Sequence, residues 1–160
     1  MDVPSPRCSN GRMRLDFETR ASPVQVRRAL TDFSERRLQT WHRSMDPKTY
    51  EVLDSGDTWA VAKESSARSP FWVVCRYDWS DPDVVRWTIT QSSYGGGGEG
   101  FARASPHAGG GSRVHAEWEN TGAPWTQKPL LFVIHVRPMR RLIRGMWKAA
   151  LDEYADTDVA

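Results

Sequence analysis

The 160-residue chain is poor in cysteine, has no long apolar run and carries no large excess of charge of either sign. Its two cysteines are Cys8, in a Pro/Ser/Asn/Gly-rich start, and Cys75, inside an apolar run. They make no disulfide framework, and two thiols alone cannot complete a structural zinc site. The longest apolar run, Leu130–Val136, is interrupted by His135. It falls far short of the ~20 residues a membrane-spanning helix needs, so no stable membrane insertion is expected. Residues 1–11 lack the apolar centre of a signal peptide, which makes the cytoplasm the expected compartment. With 22 Lys+Arg against 20 Asp+Glu, the net charge of +2 argues against a disordered chain and against a basic nucleic-acid-binding arm. The glycine run Gly95–Gly98 lies between strand patterns rather than ahead of a helix. It reads as a hairpin tip, not a phosphate cradle. His42, His107, His115 and His135 have no metal-ligand spacing, and no Ser/His/Asp or Cys/His triad is suggested. Neither a metal nor another cofactor is expected.

What the chain does have is tryptophan, eight residues of it. A chain of this length is expected to form one domain and to bury about 70% of its unfolded surface. Tryptophan in that number builds either an ordinary core or the wall of an apolar binding cavity.

Residues 1–11 and 156–160 read as tails around one domain over 12–155. Arg12–Arg20 alternates, with Met13, Leu15 and Phe17 opposite Arg14, Asp16 and Glu18, and predicts a strand. Ser22-Pro23-Val24-Gln25 predicts a capped helix start, with Val26 and Leu30 inward and an end near Asp32. Ser34 opens a second short helix reaching about Trp41. Six strands follow, over Thr49–Leu53, Thr58–Glu64, Pro70–Trp79, Asp83–Ser92, Gly98–Ser105 and Ser112–Asn120, separated by turn signals. Their short connections predict an antiparallel meander. Thr126–Tyr154 is helical in period, with Leu131, Ile134/His135, Leu142, Met146 and Ala149 on one face. Pro138 is expected to kink or divide it. Arg137, Arg141, Arg144 and Lys148 make a basic stripe, either a solvated face or an attraction for an anionic surface or acidic partner.

This α+β order resembles the START-like, or SRPBCC, superfamily over about Arg12–Ala155. The marks are Ala21-Ser22-Pro23 leading into the first helix, Asp32-Phe33, Trp41-His42, the Pro106…Gly110-Gly111-Ser112-Arg113-Val114 hairpin and the long C-terminal helix. The resemblance implies a helix-grip fold, in which a curved seven-stranded antiparallel sheet wraps the long helix around a ligand cavity. It also implies a hydrophobic ligand: aromatic, polyketide or lipid-like. The enzyme members it brings to mind are metal-free polyketide cyclases, aromatases and dehydratases. The other class is a non-catalytic carrier or protein-interaction module. The family has no universal catalytic motif to carry over.

Period-two alternation assigns the inward side chains without the family. They are Phe71, Val73, Cys75, Tyr77 and Trp79 in one strand, and Val85, Trp87, Ile89 and Gln91 in the next. Gly100, Ala102 and Ala104 follow, then Val114, Ala116 and Trp118. Tyr77 and His135, from opposite walls, are the candidate proton-transfer groups; the plain alternative is that both are satisfied core residues. Trp41, His42, Cys75, Trp79, Trp87, Ile89, Gln91, Ala102, Trp118, Leu131, Leu142 and Met146 are the candidate ligand-binding residues. Cys75 has no basic neighbour on its strand face and reads as an inert thiol rather than a nucleophile. The expected partner is a hydrophobic small molecule, with no nucleic acid, for a monomer or homodimer.

Overall fold

Short turns leave each strand of the middle region one natural neighbour, the strand just before or after it. The computed structural model, which describes residues 9–67, 69–122 and 137–157, follows that rule. Strands β1 (Ser9–Thr19), β2 (Glu51–Ser55), β3 (Trp59–Glu64), β4 (Val73–Asp78), β5 (Val85–Ser92), β6 (Gly97–Pro106) and β7 (Ser112–Thr121) form one curved antiparallel sheet. Its order is β1-β7-β6-β5-β4-β3-β2. β2 to β7 run as a meander, and β1 adds to the far side of β7. Helices α1 (Pro23–Thr31) and α2 (Arg36–Thr40) lie between β1 and β2, and α3 (Arg137–Thr157) ends the described chain.

The α1 start is the reciprocal cap expected from its sequence. Ser22 Oγ accepts from the Gln25 amide at 3.2 Å, and the Gln25 side chain accepts from the Ser22 amide at 2.9 Å. Pro23 occupies the first helical position, where a missing N–H costs nothing.

The core lies where β1, α1 and α3 meet. Met13, Leu15 and Phe17 of β1 turn inward, as do Val26, Ala29 and Leu30 of α1 and Ala150, Leu151 and Tyr154 of α3; all are buried. Each large apolar side chain so buried stabilises the fold by about 1.5–3 kcal/mol. Asp152 ties α3 to the end of β1. It accepts from Thr19 Oγ1 at 2.7 Å, from the Arg20 amide at 2.9 Å and from Lys148 Nζ at 2.9 Å.

Two expectations about which residues face inward need correction. Leu142 is 55% exposed. The inward stripe of α3 is Ile143, Trp147, Ala150, Leu151 and Tyr154. Leu142 sits one residue, or about 100° of helical turn, away from Ile143, outside that stripe. Gln91 is exposed on the opposite side from Cys75. A bulge explains it: Cys75 pairs with Ile89 but Val74 pairs with Gln91, so Thr90 is extra and the alternation of β5 reverses there. Pro138 falls in the first turn of the described span of α3.

Candidate ligand-binding site

The inner side of the sheet and the helices facing it carry a continuous row of aromatic rings. Trp41, at the C-terminal end of α2, lies 5.3 Å from Trp147 of α3 between ring centroids. Trp147 stacks on Trp118 of β7 at 6.0 Å and 17°. Trp118 is 6.3 Å from Trp87 of β5, and Trp87 is 6.2 Å from Tyr77 of β4. Tyr77 meets Phe33 at 4.8 Å, and Phe33 stacks on Trp79 at 5.7 Å and 7°. Trp41 is buried and donates its indole N–H to the Ala29 carbonyl at 3.1 Å. The other six rings are only partly buried. Such a wall is apolar and polarizable, with few hydrogen-bonding groups, the character of a site for a planar aromatic molecule.

The row depends on small residues beneath it. Gly100 of β6 pairs with Trp87 on one side and Trp118 on the other. A methyl group there would come within 2.5 Å of the Trp87 ring and 2.6 Å of Trp118 Cβ. Glycine lets both indoles lie against the β6 backbone. Ala102, further along the same face, is fully buried.

At Tyr77 and Phe33, the row meets a buried polar network. Arg37 of α2 donates from Nε to Glu64 Oε1 at 2.9 Å and from Nη1 to the Leu30 carbonyl at 3.2 Å. Glu64 of β3 accepts the Tyr77 hydroxyl on its other oxygen at 2.5 Å. The Arg37 guanidinium also lies 4.0 Å from the Phe33 ring centroid and 5.2 Å from that of Tyr77. Arg37 and Glu64 are both buried, at 5% and 8% exposed. Burying a charge is tolerable here because each finds an opposite charge and hydrogen bonds. Nearby, the Tyr50 hydroxyl donates to the Phe33 carbonyl at 2.9 Å.

The network sets the acidity of the groups around it. Burial first, and the Glu64 charge second, hold the Tyr77 hydroxyl well above its ordinary value. The same two causes push the Cys75 thiol up to about 12. Both groups therefore keep their protons near neutral pH, so Cys75 is no thiolate nucleophile.

The sequence-derived candidates divide as follows. Trp41, Trp79, Trp87, Trp118 and Tyr77 come together in the row. Cys75 and Ile89 are paired neighbours on the same inner face, and Met146 is half-buried on α3. His42 sits outside the row, on the surface, 3.3 Å from Glu153. Arg43 and His42 together pull that carboxyl down to about 2. Gln91 and Leu142 are not part of the site. His135 and Leu131 lie outside the described residues. Among the described residues, no group of three or more His, Cys, Asp or Glu is placed to hold a metal ion.

Sequence reasoning missed Arg37, Glu64, Phe33 and Trp147. Charged residues default to water, and α2 is too short for its period to single out Arg37. Glu64 did carry a signal. In β3, Ala60, Ala62 and Glu64 alternate with Trp59, Val61 and Lys63, so the face that buries the alanines also takes Glu64 inward.

No protein-family model matches the chain, and no curated protein matches it in sequence. Solved structures match it in shape. The Zhui aromatase/cyclase from a Streptomyces species superposes with a TM-score of 0.71 at 13% identity, covering 94% of this chain and 96% of its own. Norcoclaurine synthase from Thalictrum flavum, in complex with dopamine and hydroxybenzaldehyde, gives 0.68 at 9% identity, covering 94% and 88%. A START superfamily protein from Mycobacterium smegmatis gives 0.65 at 11% identity, covering 92% and 99%. With its element order, its single curved sheet and the inward stripe of α3, the chain has the helix-grip fold of the START-like, SRPBCC superfamily.

Proposed function

We propose that this chain binds a hydrophobic, planar aromatic molecule, of polyketide or similar type, against the inner face of the sheet. The observation that carries the reading is the row of rings from Trp41 to Trp79, six of them only partly buried. An aromatic ligand stacked there gains apolar burial and ring–ring contact together. Two neighbours in fold lend support through the aromatic chemistry in their names: an aromatase/cyclase, and a synthase holding dopamine and hydroxybenzaldehyde.

The cyclase or aromatase reading asks for side chains that move protons. Tyr77 gives its proton to a hydrogen bond with Glu64 and resists ionisation, which leaves its ring to line the site and does not suit its hydroxyl to act as a base. That observation favours binding without turnover, as in a carrier, over cyclisation by Tyr77 alone. The test is titration with an apolar fluorescent probe. Saturable binding at micromolar strength, with quenching of tryptophan emission that changes in Trp87→Ala, is expected. Absence of saturable binding by the folded protein contradicts the reading.

A further inference from the structure

Resting on the binding proposed above, we infer that Arg37 is the polar anchor of the site, and that it selects aromatic ligands carrying a neutral acceptor oxygen, a ketone or aldehyde carbonyl. A guanidinium has five N–H groups. In Arg37, one on Nε goes to Glu64 and one on Nη1 goes to the Leu30 carbonyl. The other three, including both on Nη2, have no acceptor among the described residues, although the side chain is only 6% exposed. A buried donor left without an acceptor is costly, and an incoming oxygen would relieve that cost.

Position and charge narrow the class. The guanidinium lies 4.0 Å from the Phe33 ring centroid and 5.2 Å from that of Tyr77, so its donors stand beside two members of the aromatic row. A molecule bound against these two rings would bring an acceptor oxygen within reach of those donors. The Arg37 charge is already balanced by Glu64 at 2.9 Å. An anionic head group would place a second negative charge beside that carboxylate, with no second cation in the network to offset it. A neutral carbonyl accepts a charge-assisted hydrogen bond without that cost. The Tyr77 hydroxyl cannot serve as the donor, because its hydrogen is held by Glu64 at 2.5 Å.

The experiment compares 2-acetylnaphthalene with 2-isopropylnaphthalene, a pair with the same number of heavy atoms in which a methyl group replaces the oxygen, by calorimetric titration of the full chain. 2-Naphthoate is the anionic arm. The ketone is expected to bind at least about tenfold tighter than the hydrocarbon, and tighter than naphthoate. Its carbonyl stretch in the infrared should fall below the value in hexane, a change that a purely structural arginine would not cause. In the double variant Arg37→Met/Glu64→Gln, which removes both charges and keeps an acceptor for Tyr77, the ketone's advantage and the infrared shift should vanish while the hydrocarbon still binds. Equal binding of ketone and hydrocarbon to wild type overturns the anchor and leaves the apolar site standing, as does tighter binding of naphthoate for the choice of a neutral oxygen. A ketone preference that survives in the double variant overturns the assignment to Arg37. Failure of all three molecules to bind overturns the site itself.

Discussion

The Tyr77 hydroxyl and the Glu64 carboxylate are joined by a 2.5 Å hydrogen bond between two neighbouring strands, at the point where the aromatic row meets the buried charge of Arg37. This contact makes Tyr77 a shared member of both structures. Its ring packs on Trp87 and Phe33, and its hydroxyl completes the coordination of Glu64.

Tyr77→Phe keeps the ring and deletes the hydrogen bond to a buried carboxylate. It should destabilise the protein by about 1–3 kcal/mol, measured by urea unfolding, while an apolar probe binds within a few-fold of wild type. Loss of probe binding by a folded variant would place the hydroxyl in direct contact with the ligand.

The ion pair should behave as a unit. Arg37→Met alone leaves Glu64 buried without its cation and should cost about 3–5 kcal/mol. Glu64→Gln alone strands the guanidinium. The double variant should lose clearly less than the sum of the two singles, because each single mutant exposes the other's uncompensated charge. Strict additivity in denaturation midpoints would mean that the two side chains do not interact.

Gly100→Ala tests the seat of the indoles. The new methyl must displace either the Trp87 ring or Trp118. A loss of about 1–3 kcal/mol is expected from such overpacking, together with altered tryptophan emission. Unchanged stability and emission would show that the indoles do not rest on this backbone.

Asp152 gives a pH signature. Burial raises its pKa, but hydrogen bonds from the Arg20 amide, Lys148 and Thr19 outweigh burial and leave it below the ordinary 3.8. A carboxyl depressed in the folded state stabilises above its unfolded value and loses that contribution as pH falls through its folded value. Asp152→Asn should therefore cost about 1 kcal/mol near pH 7, and the gap to wild type should close as the pH drops below about 4. A gap independent of pH would contradict the ionic origin of this tie between α3 and β1.

The fold was legible in the sequence because its signals are local and repeated. The Ser22–Gln25 cap, the alternation of Met13, Leu15 and Phe17, and the turn clusters between strands each act within a few residues. The site was legible only where alternation held. It placed Tyr77, Trp87 and Trp118 on one face, but failed at Thr90, where a single extra residue reversed the pattern and turned Gln91 outward. Helical period failed at Leu142 because the exposed arc of α3 holds an apolar residue next to the buried stripe. Arg37 and Glu64 lie 27 positions apart, and their partnership exists only because the fold brings the Arg37 side chain of α2 to Glu64 of β3. No local pattern records it.

The central claim, that an aromatic molecule lies along the inner row, is tested most directly by following tryptophan indole N–H resonances during titration with 2-acetylnaphthalene. Trp87, Trp118 and Trp147 belong to the row, whereas Trp59 and Trp72 pack against Arg76 and Lys63 away from it. The account predicts that the resonances of Trp87, Trp118 and Trp147 shift together and saturate at one ligand per chain, with those of Trp59 and Trp72 unmoved. Shifts confined to Trp59 and Trp72, or no saturable shift at any indole of the folded protein, would contradict it.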